Sequence, residues 1–375
     1  MIKTIAHLSD IHIRKLHRFV EYRKVFKRLY KQLKQLKPDI IYVGGDIVHG
    51  KLDTSPEEVR LVSNFFLSLS KIAQTVVIPG NHDCNLNNRS REDTLSPIVD
   101  LVQRITPNLH YWKKSGKYTI DNVDFGVLSV FDINKEGKQT TDKLPNSKDL
   151  DNEYKVALFH GGVGSYTYDN GFQVTEGDVT LQTFDDYDLT LLGDIHKKQF
   201  LNSKETIAYC GSLIQQSFQE EPAHGFMLWD LETKTFEFHK VENDYGFKLL
   251  EVIDGEIQNK MNYIPPKGNI KIKYWDTSLE QIRDIQIALR KEYPKLKEVK
   301  AERQDSLSIN GDNRVNKIDI GDVRDTDYQN ELIKDFLERN VEGIDEKTVE
   351  RVFDINELTN SSPEIYDGDV TRNVD

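Results

Sequence analysis

Five short apolar runs in the first 200 residues each end in a cluster of Asp, His or Asn, and no other feature constrains the fold as strongly. The runs span residues 5–8, 40–43, 76–78, 156–159 and 189–192. Short apolar runs that end in glycine or turn residues are typical of central strands in a covered sheet. Because ligand sites of α/β sheets lie at the carboxyl ends of strands, the five clusters are expected to converge on one place.

The clusters combine carboxylate, imidazole and amide groups. They are Asp10-Ile11-His12, Gly45-Asp46-Ile47-Val48-His49, Gly80-Asn81-His82-Asp83, His160-Gly161-Gly162 and Gly193-Asp194-Ile195-His196. These groups together form a ligand set for Mn²⁺, Fe²⁺ or Zn²⁺. A histidine in any single cluster could equally cap or pack locally. Five such clusters in succession predict a metal centre.

The order and spacing of the clusters resemble the calcineurin-like metallophosphoesterase superfamily, whose signature is D-x-H, G-D, G-N-H-D/E, H and G-H-x-H. The chain departs from this signature at Asp194, where the family usually has a histidine. The resemblance implies an α/β fold, namely a four-layer α/β/β/α metallophosphoesterase sandwich. It also implies a small α+β capping domain and C-terminal helices.

Two downstream segments narrow the resemblance to SbcD-type exonucleases of double-strand-break repair. Residues 209–215 (YCGSLIQ) and 225–231 (GFMLWDL) look like the end of the nuclease domain in that group. Together with His49, three residues after Asp46, they point to a nuclease. The similarity covers residues 1–245 well and the rest of the chain only in outline.

The resemblance implies two divalent metal ions that share Asp46. One ion would be held by Asp10, His12, Asp46 and His196. The other would be held by Asp46, Asn81, His160 and, if it coordinates, Asp194. These residue types suit Mn²⁺ or Mg²⁺, and Fe²⁺ is a further candidate. Asp194 either coordinates the second ion or accepts a hydrogen bond from a ligand histidine, and the sequence leaves both open.

The resemblance also implies three catalytic residues. His82 follows the ligand Asn81 and is expected to act as general acid or to stabilise the transition state. Asp83, next to it, is the expected orienting partner. His49 corresponds to a histidine that helps to place the scissile phosphate, although a histidine at the end of a helix is an equal interpretation of this position.

Charge is distributed unevenly along the chain. The formal net charge is −12, yet residues 301–375 hold 20 acidic and 9 basic side chains, so the first 300 residues are almost neutral. From Arg14 to Lys37 there are ten Lys or Arg residues and one acid, Glu21. Such a stripe can contact phosphates even on an acidic protein. The solvated face of an ordinary helix is the alternative.

The secondary-structure pattern predicts several elements. Helices are expected at residues 21–37 and from Ser55-Pro56 onward, and a hairpin over 118–130. After residue 246, strands are predicted at 247–257, 269–275 and 297–302. The predicted helix between the last two carries Leu279, Ile282, Ile285 and Leu289 on one face.

These patterns divide the chain into residues 1–245, a compact α+β module (246–304), a linker (305–325), a helical segment (326–360) and a disordered tail (361–375). The resemblance implies that residues 1–245 are a nuclease domain and residues 246–304 a capping domain. The helical segment is too small to bury both of its apolar faces alone. It therefore docks either on its own body or on a partner. In the family, the corresponding helices bind an SMC-type ATPase subunit.

The sequence is thus interpreted as a Mn²⁺-dependent DNA exonuclease and endonuclease subunit of an SbcC–SbcD-like recombination and repair complex. Its expected substrates are duplex ends, single strands and hairpins, and the resemblance implies a homodimer. Two cysteines, no signal peptide and no membrane span favour the cytoplasm, at the nucleoid or in a host cell if the protein is of phage origin. A metallophosphatase or phosphodiesterase of the same fold and a metal-free scaffold are the alternatives.

Overall fold

A computed structural model describes residues 1–14, 18–50, 54–86, 88, 91–134, 138–259 and 263–304, together with 347, 348 and 351. By its internal contacts the chain divides into residues 1–306 and residues 307–375. The predicted linker, helical segment and tail lie outside the described residues, except for residues 347, 348 and 351 of the helical segment. The boundaries expected for those segments therefore stay predictions.

Within the described ranges the chain forms eighteen strands, four α-helices and three 3₁₀ helices. The strands are β1 (Thr4–Leu8), β2 (Ile40–Val43), β3 (Gln74–Val77), β4 (Leu109–Tyr111), β5 (Gly116–Ile120), β6 (Val123–Leu128), β7 (Tyr154–His160), β8 (Tyr166–Thr167), β9 (Gln173–Val174), β10 (Leu189–Gly193), β11 (Gln199–Phe200), β12 (Ile207–Tyr209), β13 (Gly225–Asp230), β14 (Thr235–Lys240), β15 (Phe247–Ile253), β16 (Glu256–Ile257), β17 (Asn269–Trp275) and β18 (Glu298–Arg303). The α-helices are α1 (Phe19–Leu36), α2 (Pro56–Ser70), α3 (Ser96–Gln103) and α4 (Leu279–Glu292). The 3₁₀ helices are Thr141–Lys143, Ser147–Asp149 and Leu181–Phe184.

Two six-stranded sheets form the body of the protein. The first has the order β14-β13-β1-β2-β3-β4, and the second has the order β11-β12-β10-β7-β6-β5. Strands β1 to β4 are mutually parallel, as are β6, β7, β10 and β12. Parallel strands place their carboxyl ends at one edge of each sheet, so this topology brings the polar clusters together.

Side chains alternate between two cores along the first sheet. Ile40 and Tyr42 of β2 pack with residues of the second sheet, whereas Ile41 and Val43 pack with the helices. This period of two is what a strand covered on both faces requires. The α/β sandwich predicted from the sequence is confirmed.

Helices α1 and α2 cover the outer face of the first sheet. In α1, buried apolar residues recur every three or four positions, from Tyr22 to Leu33. In α2, Ser55 caps the N-terminus by accepting a hydrogen bond from the Glu58 amide, and Pro56 occupies the first turn. Both helices match the prediction, although α1 begins at Phe19, two residues before the predicted start.

The outer face of the second sheet is covered differently from the first. Its core combines strand residues such as Phe159 and Leu192 with Val163, Val179 and Phe184. Across the described residues, these covering positions come from loops, the β8–β9 hairpin and a 3₁₀ helix. Among the described residues, the fourth layer of the sandwich therefore contains no α-helix.

Residues 247–303 form a separate small sheet with its own core. Its order is β16-β15-β17-β18, and α4 packs on one face through Ile282 and Leu289. One prediction was wrong here. The predicted strand 247–257 is a hairpin, because Asp254 and Gly255 adopt left-handed backbone conformations that turn the chain. Of the four residues predicted on one face of the helix, Leu279 is 66% exposed.

None of the helices in the described part of the chain is long and apolar enough to cross a membrane.

Candidate active site and metal centre

The predicted polar clusters lie at the carboxyl ends of β1, β2, β3, β7 and β10. The backbone at these ends is unusual, since Asp10, His12, Asp46 and Asp194 all have positive φ, between 49° and 98°. Non-glycine residues in this region cost about 1–3 kcal/mol each and persist where the surrounding structure demands them. The strained turns aim four polar side chains back into one buried site.

Three overlapping groups of side chains among the described residues have the spacing of metal ligands, with the ligand atoms of each group within 4.8 Å of one another. His12, His49 and His82 form one of them. The other two, which contain the carboxylates, are Asp10, His12 and His196, and Asp10, Asp46 and His160. Asp46 lies between them, because its Oδ2 is 3.4 Å from His12 Nε2 and its Oδ1 is 3.3 Å from His160 Nε2. Each carboxylate oxygen of Asp46 therefore faces a different histidine.

Hydrogen bonds on the far side of each ring fix the imidazole tautomers. His160 Nδ1 donates to the Gly44 carbonyl at 2.6 Å, and His196 Nδ1 lies 3.0 Å from Glu220 Oε1. A neutral ring that donates through Nδ1 presents a lone pair on Nε2. Nε2 of His196 is 2.9 Å from Nε2 of His12, the separation of two ligands that can share one ion.

The site also contains a buried acceptor that lacks a hydrogen-bond partner among the described residues, the side-chain oxygen of Asn81. His160 Nε2 faces two carboxylates, Asp46 Oδ1 at 3.3 Å and Asp194 Oδ1 at 3.7 Å. Buried polar atoms are nearly always paired, so an orphaned acceptor needs an explanation. A lone pair on nitrogen and an amide oxygen are both ligands for Mn²⁺ or Fe²⁺. The donor set therefore fits divalent cations.

Asp194 lies beside His160 and Asn81. Its Oδ1 is 3.7 Å from His160 Nε2 and 3.4 Å from Asn81 Nδ2, and its backbone amide donates to Asp10. Burial, reinforced by the charges of Asp46 and Asp10, raises the pKa of Asp194 to about 7. The carboxylate lies on the lone-pair side of His160, whereas the Nδ1–H of that ring is already bound to Gly44.

Carboxylates and imidazoles shift one another's pKa values within this cluster. Burial would raise the pKa of Asp46, yet the charge of His160 and a hydrogen bond from it bring that pKa well below its usual value. Burial would lower the pKa of His196, but the hydrogen bond to Glu220 raises it to about 9. Burial raises the pKa of Asp10. Such crowding of buried carboxylates is what a bound cation offsets.

A cavity of about 120 Å³ opens beside the ligand cluster. It is lined by His12, Arg14, Asp46, His49, His82, Asp194 and His196. The rings of His49 and His82 stack with their centroids 5.2 Å apart, and His82 Nδ1 donates to the His49 carbonyl at 2.9 Å. A larger cavity of about 570 Å³, between residues 141–149 and 182–187, contains none of the predicted site residues. The site is therefore identified by the residues that line its cavity and not by the volume of the cavity.

The structure brings all ten predicted site residues to this region, but two of them lie in unexpected settings. His49 does not end a helix, because Val48 pairs with Ile13 as in a strand and the His49 amide donates to the Ile13 carbonyl. The Asp83 carboxylate does not contact the His82 ring. It accepts backbone hydrogen bonds from Ile47, Val48 and Gly80 instead, and so joins the loops after β2 and β3.

Two residues at the site were missed by the sequence analysis. Glu220 orients His196, but it comes from a loop 24 residues downstream and no local pattern points to it. Arg14 places its Nη1 3.2 Å from His49 Nε2. Its position two residues after the ligand His12 was a usable signal, although it was counted only as part of a basic stripe.

Part of that basic stripe interacts with the protein itself. Arg18 pairs with Glu21, and Arg28 donates to Asp244. Lys24 donates to the Tyr245 hydroxyl. For these three residues the structure favours an internal role on α1 over direct phosphate contact.

Comparison with known proteins gives the chain a family. The family model described as calcineurin-like phosphoesterase matches residues 3–198. An uncharacterized protein, R555, of Acanthamoeba polyphaga mimivirus is 38% identical over 98% of this chain, which spans only 27% of that protein's length. The DNA double-strand break repair protein Mre11 of Nanoarchaeum equitans is 25% identical over 69% of this chain and 74% of its own length.

One similar solved structure is a dimetal phosphatase from Danio rerio, with a TM-score of 0.38, 12% identity and coverage of 61% of this chain and 93% of that one. The family match covers more than half of the chain and includes every predicted metal ligand. The chain is a member of the calcineurin-like phosphoesterases, a family of metal-dependent hydrolases with a two-metal site.

Proposed function

We propose that this phosphoesterase is a DNA nuclease that hydrolyses phosphodiester bonds with two divalent cations, preferably Mn²⁺. The observation that carries the proposal is the shared cavity, in which the ligand cluster meets His49 and His82. A cluster of metal ligands alone fits many activities. Two additional imidazoles beside the ligands supply the acid and positioning groups that phosphodiester cleavage needs.

One ion would be held by Asp10, His12, Asp46 and His196, and the other by Asp46, Asn81, His160 and Asp194. When bound, the two cations stabilise charge on the phosphoryl oxygens and make water a nucleophile at neutral pH. Asp194 enters this set because its Oδ1 lies 3.7 Å from the lone-pair side of His160. A carboxylate that only oriented His160 would lie at the opposite nitrogen.

His82 is the proposed general acid. Its backbone amide donates to Asp46 Oδ1 at 2.8 Å, which fixes the residue next to the ligand cluster. Its Nδ1 is bound to the His49 carbonyl, so Nε2 is the nitrogen left to protonate the leaving oxygen. His49 stacks on this ring. Asp83 contributes indirectly, by fixing the loop from which His82 projects.

Two observations support DNA as the substrate. The similarity to Mre11 extends over 69% of the chain, which is more than residues 3–198 contain, so it reaches beyond the phosphoesterase family region. Tyr168 and Phe172, on the β8–β9 hairpin, are stacked on each other and 36% and 46% exposed. Tyr168 lines a second cavity together with Asp194 and His196. Exposed aromatic rings beside such a site are platforms on which nucleobases stack.

The proposal extends to the assembly in which the enzyme works. By its resemblance to SbcD-type nucleases, the chain would degrade duplex ends from 3′ to 5′ and cut single strands and hairpins. It would form a homodimer through the nuclease domain and bind an SMC-type ATPase through residues 326–360. The expected location is the cytoplasm.

A paired assay tests the proposal. The purified chain, with Mn²⁺ or Mg²⁺ added, is incubated with end-labelled duplex DNA and, separately, with bis-p-nitrophenyl phosphate. We expect hydrolysis of both substrates and higher rates with Mn²⁺, with Asp46→Ala as the inactive control. Hydrolysis of the small ester without degradation of any DNA would favour a small-molecule phosphodiesterase or phosphatase. Neither activity, together with no metal binding, would indicate a scaffold.

A further inference from the structure

Arg14 occupies a fixed position at the wall of the active-site cavity. It follows Ile13, whose amide donates to the Ile47 carbonyl and whose carbonyl accepts from the His49 amide. These two backbone hydrogen bonds join the loop before Arg14 to the loop that carries His49. The Nη1 of Arg14 lies 3.2 Å from His49 Nε2, and its side chain lines the same cavity as His12, Asp46 and His82. The guanidinium is therefore held next to the reacting groups.

The guanidinium of Arg14 lacks the partners that a structural arginine has. Among the described residues it forms no ion pair with a carboxylate, and its Nε is buried without a hydrogen-bond partner. Arg18, four residues later, shows the contrast: it binds Glu21 through two nitrogens and also contacts Gln215 and Gln216. The nearby Glu220 carboxylate is already bound to His196 and to the Gln216 amide.

We propose that Arg14 binds the scissile phosphodiester, donating hydrogen bonds to its non-bridging oxygens. This inference rests on the proposed phosphodiesterase function of the same site. A guanidinium stays charged at every working pH and presents its donors in a planar fork that matches phosphate geometry. Arg14 lines the cavity together with the proposed metal ligands, where the negative charge of the substrate phosphate would increase as the phosphodiester bond breaks.

The competing role for Arg14 is structural support of His49, which it contacts directly. The two roles differ in a variant that lacks His49. If Arg14 acts only through that ring, its removal has no further effect once the ring is gone. If Arg14 binds phosphate, its removal lowers the rate again in the His49→Ala background.

The test compares Arg14→Ala, Arg14→Lys and Arg14→Gln with the intact chain, alone and in the His49→Ala background. Arg23→Ala, which removes an exposed charge from α1, is the matched control. We expect Arg14→Ala to lower kcat/KM about 10²- to 10³-fold, the usual effect of removing one preorganised charge-stabilising donor. Arg14→Lys retains the charge without the fork and should lose less. Arg23→Ala should change little.

Inhibition by inorganic phosphate gives a second measurement that a structural role would not alter. The inhibition constant should rise about 10- to 100-fold in Arg14→Ala and Arg14→Gln, the effect of losing charged hydrogen bonds to the anion. Unchanged kcat/KM and phosphate inhibition in folded variants would overturn the proposal. So would the absence of any further loss in the His49→Ala background. All of these variants can also be assayed with bis-p-nitrophenyl phosphate. If the chain cleaved this ester but no DNA, the nuclease function would be refuted, and the effect of replacing Arg14 could still be measured.

Discussion

The hydrogen bonds behind each imidazole decide what the histidines of this site can do. The rings of His160, His196 and His82 all use Nδ1 to reach a carbonyl or a carboxylate. In each case Nε2 is left facing the cluster or the cavity. For the first two that nitrogen is suited to bind a cation, whereas for His82 it is suited to carry a proton.

Replacing His82 separates acid catalysis from metal binding. His82→Asn should lower the nuclease rate about 10²- to 10⁴-fold, the contribution of a positioned acid or base. Two Mn²⁺ ions should still bind in calorimetric titrations, because His82 is not one of the proposed ligands. Loss of both activity and metal binding would show that His82 is a ligand and that its role here is misassigned.

Asp194 is the residue at which the chain departs from the signature of its family. If it coordinates, Asp194→Ala should weaken one Mn²⁺ site selectively, and cleavage should recover at high Mn²⁺. Asp194→His should restore activity and move the preference towards Zn²⁺ or Co²⁺, because imidazole is the softer ligand. Two tight Mn²⁺ sites in the Ala variant, measured by calorimetry, would refute coordination.

Site residues that directly follow a predicted strand could be identified from the sequence. Site residues that come from distant loops could not. Asp10, Asn81 and His160 follow strands whose carboxyl ends must meet, so their convergence was predictable. Glu220 reaches His196 through a loop whose path no periodicity fixes. Asp83 was assigned to His82 because the two are adjacent, yet its side chain turns to the backbone of another loop.

At the scale of elements, the junction between the loops after β2 and β3 is sensitive to pH. Burial, followed by the charge of Asp46, raises the pKa of Asp83 from 3.8 to about 8. A raised pKa means that this group stabilises the fold below about pH 4 and loses that contribution as the pH rises through 8. Asp83→Asn cannot titrate, and its amide nitrogen cannot accept the hydrogen bond from Gly80.

We therefore expect Asp83→Asn to lower the free energy of unfolding by about 1–3 kcal/mol at pH 5, the cost of an unsatisfied buried group. The difference in the free energy of unfolding should be smaller at pH 8, because the stabilisation that the protonated Asp83 gives the wild type is lost by that pH. Urea unfolding at both pH values, with a chelator present in each sample, measures the difference. A cost that grew between pH 5 and pH 8 would contradict the raised pKa.

The β8–β9 hairpin gives the site its proposed contact with nucleobases. Replacing both Tyr168 and Phe172 with Ala should lower kcat/KM on single-stranded DNA about 5- to 100-fold, the usual effect of losing one stacked base. Substrates with abasic sites around the cleaved bond are the matched control. The same loss on abasic and normal DNA would show that the rings support the fold of the hairpin rather than bind bases.

Elements with a strong periodic pattern were predicted well. Helix α2 was marked by its Ser-Pro start, and β17 by the alternation from Asn269 to Trp275. The layer over the second sheet was not predicted, because it is built from loops and a short hairpin that leave no periodic signal in the sequence. The hairpin that carries Tyr168 and Phe172 belongs to this layer, so the proposed base contact was invisible from the sequence.

At the scale of the whole molecule, the chain matches only part of a longer relative. It spans 27% of the length of the mimivirus protein. The similarity to Mre11 covers 74% of that protein's length. The partner predicted for the C-terminal segment is therefore the feature of the assembly that most needs an experiment.

Deleting residues 326–375 tests that partner directly. The four apolar cores of the described residues lie within residues 1–306, one of the two units into which the chain divides. If the segment docks on a partner and not on these cores, the truncated chain should keep its melting temperature within about 2 °C, a shift that corresponds to roughly 1 kcal/mol in a chain of this size. Mn²⁺-dependent cleavage should also survive, whereas co-purification with an SMC-type ATPase should be lost. A large drop in the melting temperature of the isolated chain would show instead that the segment docks on its own body.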